Sequence, residues 1–93
     1  MSFEALAKKG YNKFIFYVYI LRSKVDKSYY VGFSEDLRKR LKDHEWYDVK
    51  STKSKAPYDL IWYGGFKEKR RALNFERYLK SDSGFAFRNK HLI

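Results

Sequence analysis

Three groups of residues in this sequence have types and spacings that could do chemistry. The first is Glu76. The pattern from about Lys67 to Lys80 predicts a helix whose apolar arc is Ala72, Leu73, Phe75 and Leu79. At about 100° per residue, Glu76 falls near the middle of that arc. An ionised carboxylate is costly to bury unless it is paired or binds a metal. Two readings follow. One is an ion pair with an arginine such as Arg40. The other is a ligand for a hard divalent cation such as Mg2+, which takes one or two carboxylates plus waters and phosphate oxygens. The second group is Arg40 and His44, i,i+4 neighbours on the side of a predicted helix that carries Leu37 and Leu41. A snorkelling arginine and a satisfied structural histidine are the plain alternatives. The third is Tyr19 and Tyr30, on two predicted strands. If the hairpin pairs Leu21 with Ser28, counting inward sets Tyr19 opposite Tyr30. Opposed residues share a face with Cβ atoms roughly 5 Å apart. Ordinary aromatic packing across strands explains that pair equally well.

The elements that must position these groups follow from local pattern. Residues 14–21, Phe-Ile-Phe-Tyr-Val-Tyr-Ile-Leu, are aromatic and β-branched without alternation, the mark of a strand buried on both faces. Arg22 to Lys27 is a six-residue connection, and Ser28 to Gly32 a second strand. Ser34 before Glu35 and Asp36 predicts an N-cap with acids in the first turn, starting a helix that runs to about Tyr47. A basic loop over 48–58 leads through Pro57 to a third strand, Asp59 to Tyr63, ending at Gly64-Gly65. After the Glu76 helix, Ser81-Asp82-Ser83-Gly84 reads as a break before a final helix from about Phe85 to Leu92. The expected fold is α+β: a small three-stranded, mainly antiparallel sheet flanked by helices, over residues 14–93, behind an arm of residues 1–13.

Composition narrows the function classes. The chain of 93 residues is one domain's length. With 44% hydrophobic and 20% aromatic residues it can fill one modest core. It contains no cysteine, which removes disulfide frameworks and thiolate metal sites. No run approaches the roughly 20 apolar residues needed to span a bilayer, and the N-terminus lacks a signal-peptide pattern. A soluble, cytoplasmic protein with no membrane partner is the expectation. Twenty-one Lys and Arg against 11 Asp and Glu give a net charge of +10. The sequence pI is near 9.8, above the usual threshold for a basic nucleic-acid-binding domain. Lys50, Lys53 and Lys55 in the basic loop, with Lys67, Lys69, Arg70 and Arg71, are candidate contacts to a phosphate backbone. For any one of them a solvated surface charge is the simpler account.

Tyr17-Val18-Tyr19 and Tyr30-Val31-Gly32, on two strands followed by a helix carrying Arg40 and His44, resemble the GIY-YIG nuclease motif. The first triplet departs from it, with Tyr17 where the name-giving glycine stands. Leu21-Arg22-Ser23, the Ser51-Thr52-Lys53 to Pro57 loop, and Glu76 followed by Leu79-Lys80 are similar to small stand-alone bacterial proteins of that superfamily. The likeness covers about residues 14–92.

The resemblance implies a metal-dependent endonuclease that hydrolyses phosphodiester bonds in DNA, structure-specific or repair-related, using Mg2+ or Mn2+. It gives Tyr19 and Tyr30 the two motif tyrosines, one of which deprotonates or orients the attacking water. It gives Arg40 the scissile phosphate, His44 a place beside that phosphate, and Glu76 the metal. Asn89 matches an asparagine late in many members, and Phe33 stands where some have a lysine. The chemistry is consistent with these roles. A metal on Glu76 would act as a Lewis acid, Arg40 as a bidentate phosphate clamp. A phenol, with an ordinary pKa of about 10, would need nearby cations to serve as a base. Which tyrosine does so stays open. The rival expectations are a nucleic-acid-binding module that keeps the fold without turnover, and an enzyme acting on RNA.

Overall fold

The aromatic run expected to be buried on both faces is the middle strand of the sheet. The computed structural model describes residues 15–45 and 53–93, with the backbone alone for 43–45 and 53. Strand β1 spans Phe16–Ser23, β2 Tyr29–Ser34 and β3 Tyr58–Phe66. They form one antiparallel sheet in the order β2-β1-β3. Helix α1 spans Leu37–Glu45, a 3-10 turn Lys53–Lys55, helix α2 Lys69–Leu79 and helix α3 Asp82–His91. This is the expected α+β architecture. Among the described residues no helix is long and apolar enough to cross a membrane.

Successive residues of β1 point to opposite faces, and each face has its own helical cover. Tyr17, Tyr19 and Leu21 pack on one side against Leu37 and Leu41 of α1. Val18 and Ile20, with Val31 of β2, pack on the other against Ala72 and Leu79 of α2; Phe75 and Phe87 seal the periphery. Burying each such aliphatic side chain contributes about 1.5–3 kcal/mol.

Several boundaries differ from expectation, each for a physical reason. The hairpin connection is five residues, 24–28, not six. Ser23 N–H donates to Ser28 O at 2.8 Å, and Lys27, at φ 64°, closes the turn with a bond from its N–H to Ser23 O at 3.0 Å. The Ser23 hydroxyl drives this tightening, accepting from Val25 N and Asp26 N at 3.0 and 3.2 Å and donating to Lys55 O at 2.6 Å. The register is therefore shifted by two residues: Tyr19 faces Gly32, and Leu21 faces Tyr30. A shift of two keeps every side chain on its expected face.

Helix α1 begins later than expected. Ser34 remains in β2, paired with Tyr17, while its hydroxyl accepts from Asp36 N at 2.9 Å. Asp36 is the cap, accepting from Lys39 N at 3.1 Å. The expected end near Tyr47 lies outside the described residues, as do residues 1–13. Gly64 and Gly65 do not end β3 but lie inside it, because the Trp62 ring covers Gly64, and Ile15 and Tyr17 crowd Gly65. Ser81-Asp82-Ser83-Gly84 is not a break but the start of α3: Ser81 caps it by accepting from Gly84 N at 3.2 Å. Gly84 is required there, because a Cβ would collide with the Tyr78 carbonyl.

Candidate active site

The two motif tyrosines meet, though not as directly opposed residues. Tyr19 is fully buried and lies flat over Gly32, its strand partner, so that a Cβ at position 32 would overlap the ring. Tyr30, two residues back along β2, brings its ring centroid to 6.3 Å from that of Tyr19. The triplets thus interlock: the tyrosine of the first occupies the space left by the glycine of the second. Tyr17, where the motif has glycine, tilts against Tyr63 at 6.2 Å, in the room Gly65 leaves. Tyr58 packs against the same cluster. Burial, with added push from Asp26 and Tyr30, raises its phenol above the ordinary value of 10.0.

Arg40, on α1, is exposed. It lines a hollow of about 350 Å3 with Phe33 and Ser34 of β2, Glu35, Lys39 and Lys69. An ion pair of 3.5 Å between Lys69 and Glu35 ties the first turn of α2 to this region. A second hollow, of about 290 Å3, lies further along β2 and is lined by Tyr29, Tyr30, Lys80 and Arg88 among others. Glu76 joins it through Lys80, whose Nζ stands 3.3 Å from Glu76 Oε2. The Glu76 side chain is 21% exposed, so it is neither in dry core nor fully solvated. Its ion-pair partner is Lys80, one turn on along the same helix, and not Arg40.

The sheet separates some of the expected partners. Tyr19 lies on the face covered by α1, whereas Glu76 belongs to the helix on the other face. Along β2, an outer strand of the sheet, Tyr30 lines one hollow with Lys80, and Arg40 lines the next. His44 sits in the last turn of α1, its side chain outside the described residues. Asn89 is exposed, and its Oδ1 accepts from Arg88 Nε at 3.3 Å. Among the candidate backbone-binding cations, Lys50 lies outside the described residues and Lys53 has only its backbone described. Lys55 stands 3.5 Å from Asp26. Arg70 is exposed, and so is Arg71, paired with Glu68 at 3.4 Å.

Sequence reasoning missed Lys80 and Arg88. The Glu76–Lys80 spacing of four, acid first, is a readable helical ion pair. Arg88 has no such signal, since its burial follows from how α3 packs.

For a metal, the donor set is one carboxylate. Among the described residues no three His, Cys, Asp or Glu side chains cluster. A single carboxylate suits a hard cation completed by waters and phosphate oxygens.

Comparison with known proteins identifies the family and the fold. The model of a family described as the GIY-YIG catalytic domain matches residues 15–90. A UPF0213 protein of Clostridium perfringens is 40% identical over 65 residues, 69% of this chain and 69% of that protein. The UPF0213 protein YazA of Bacillus subtilis is 38% identical over 65 residues, 69% of this chain and 65% of its own. The chain thus aligns with about two thirds of the length of these relatives. The solution NMR structure of a UPF0213 protein from Bacillus halodurans superimposes with a TM-score of 0.50 at 32% identity, covering 78% of this chain and 80% of that one.

Proposed function

The chain belongs to the GIY-YIG family of nuclease domains, and from that premise we propose that it hydrolyses phosphodiester bonds in DNA as a divalent-metal-dependent endonuclease. The observation that carries the reading is the grouping along β2: Tyr30 in one hollow with Lys80 and its partner Glu76, Arg40 in the next. The net charge of +10 supports a polyanionic substrate.

Glu76 is the residue that would hold Mg2+ or Mn2+. When bound, the ion supplies Lewis acidity to the phosphate and relief for the leaving oxygen. Lys80, 3.3 Å away, would hold the Glu76 carboxylate in place for the ion. The Arg40 guanidinium, always charged, binds the scissile phosphate and offsets the charge that develops on it. Tyr30 orients the attacking water through its phenol oxygen. Tyr19, buried beneath it, is a positioning residue that fixes the Tyr30 ring. His44, one turn beyond Arg40 on α1, would serve beside the scissile phosphate, and Asn89, next to Arg88 on α3, would complete the site. Arg70, Arg71, Lys50, Lys53 and Lys55 extend the positive surface for backbone contacts, which position a strand without reading its sequence. A DNA-cutting role in repair, on branched or single-stranded substrates, suits a domain this small, and a chain without cysteine suits the cytoplasm.

One observation favours a second reading, a nucleic-acid-binding module without turnover: the Glu76 carboxylate is already satisfied by Lys80. Labelled DNA incubated with and without Mg2+, comparing wild type with Glu76→Ala, separates the two. We expect metal-dependent product from wild type and a loss of at least about 100-fold in the variant, since disturbing even the partner of a metal ligand costs up to that much. Equal binding with no metal-dependent product from either protein establishes the binding module. Structured RNA run in parallel decides the nucleic acid.

A further inference from the structure

The hollow beside Tyr30 holds a cation to which the proposed cleavage gives no role. Arg88 of α3 is only 8% exposed. Its guanidinium carbon lies 4.4 Å from the Phe85 ring centre and 5.2 Å from that of Tyr29. Arg22 flanks the same Tyr29 ring at 5.7 Å. Stacking occupies the faces of a guanidinium and leaves its N–H rim for hydrogen bonds. Nε donates to Asn89 Oδ1. Among the described residues no carboxylate pairs with Arg88. None of their buried side-chain nitrogens lacks a partner either. The two terminal amino groups therefore reach the solvent of the hollow that Arg88 lines with Tyr29, Tyr30 and Lys80.

A nearly buried charge without a counter-ion is costly, and a phosphate offers that rim two parallel N–H···O bonds. Beside it, the Phe85 ring is 53% exposed, a surface on which a base can stack whatever its identity. We propose that Arg88 holds a backbone phosphate of the bound nucleic-acid strand, separate from the one at Arg40, while an unpaired base of that strand stacks on Phe85. The inference rests on the nucleic-acid reading above. It adds that the strand lies single-stranded where it passes the outer side of β2.

The test is binding of a fluorescently labelled single-stranded oligonucleotide in EDTA, where no turnover occurs, across a salt series. Arg88→Gln should bind about tenfold more weakly and lower the slope of log K against log salt by about 0.7, the value for one phosphate on a single strand. Arg88→Lys should keep the slope while losing affinity, because the charge remains and the planar fork does not. Phe85→Ala should lose about fivefold or more on a normal oligonucleotide and nothing on an abasic one.

An unchanged slope and affinity in a folded Arg88→Gln overturns the proposal. Should that variant not fold by circular dichroism, wild-type affinity in both Arg88→Lys and Phe85→Ala overturns it instead. Displacement by poly-glutamate as readily as by unlabelled oligonucleotide assigns the hollow to an acidic peptide and overturns it too. Arg88-dependent binding without metal-dependent cleavage by wild type would sink the nuclease reading alone. Wild type that binds no oligonucleotide would sink both.

Discussion

Replacing Gly32 with alanine places a methyl group where the Tyr19 ring already lies. The added Cβ would collide with Cζ and Oη of that ring and stand 2.8 Å from Cε2, well inside the ~3.5–4.0 Å of ordinary carbon contact. Tyr19 is 1% exposed, with Tyr30 beside it and Leu37 and Leu41 in the same cluster, so the ring has nowhere to swing. Overpacking of this kind costs about 1–3 kcal/mol. For a domain of this size each kcal/mol lowers Tm by about 4–8 °C, so a cost of about 2 kcal/mol lowers it by about 8–16 °C.

The cause can be isolated by a double-mutant cycle read in urea. Tyr19→Leu alone leaves a cavity and costs up to about 3 kcal/mol. In that background the ring atoms that meet the new methyl are gone, and Gly32→Ala should cost less than about 0.5 kcal/mol, a coupling of about 1.5 kcal/mol. The denaturant slope should stay constant while the midpoint moves. Costs that add to within about 0.5 kcal/mol would refute the interlocked triplets. Because Tyr30 rests on Tyr19, the alanine variant should also cut less DNA per folded molecule.

Gly84→Ala drives a methyl into the Tyr78 carbonyl; no rotamer change relieves a backbone collision, so the loss should reach at least about 3 kcal/mol, measured as Tm by circular dichroism. Ser23→Ala removes one donor and one doubly used acceptor and should cost about 2 kcal/mol, read as a lower urea midpoint. Asp26 is held down to about 2 from 3.8, mainly by the Ser28 hydroxyl and N–H, with Lys55 adding less. A lowered carboxyl stabilises the fold above the unfolded value and loses that stabilisation as pH falls to the folded one. The Tm gap between wild type and Asp26→Asn should therefore be full at pH 6 and narrow between about pH 4 and 2. A gap constant with pH would disprove the bonding at Asp26.

What the sequence made legible was decided by residue type over several neighbours. The run ending Tyr17-Val18-Tyr19-Ile20-Leu21 could only be a strand covered on both sides, and it is. The half-buried setting of Glu76 was legible from the arc of Ala72, Phe75 and Leu79. Boundaries set by one hydroxyl or one glycine were not. Ser34 carries an N-cap pattern but is claimed by pairing with Tyr17. Gly84 looks like a terminator, yet close packing against Tyr78 places it in the first turn of α3. The hairpin register depended on Ser23 reaching Lys55, 32 residues away, a contact no local pattern encodes. The same limit hid Arg88, whose surroundings come from β2 and α3 together. Lys80 is legible in its spacing of four from Glu76, and it, not Arg40, is the partner of that carboxylate.

The packing of Trp62 has a spectroscopic consequence. Its indole covers Gly64 and lies 5.8 Å from the Phe75 ring, one residue before Glu76. Its emission therefore senses whether α2 is seated. A Trp46→Phe protein would carry a single tryptophan, so that a red shift of its selectively excited emission on adding denaturant, metal or oligonucleotide would report movement of the carboxylate-bearing helix without any attached dye.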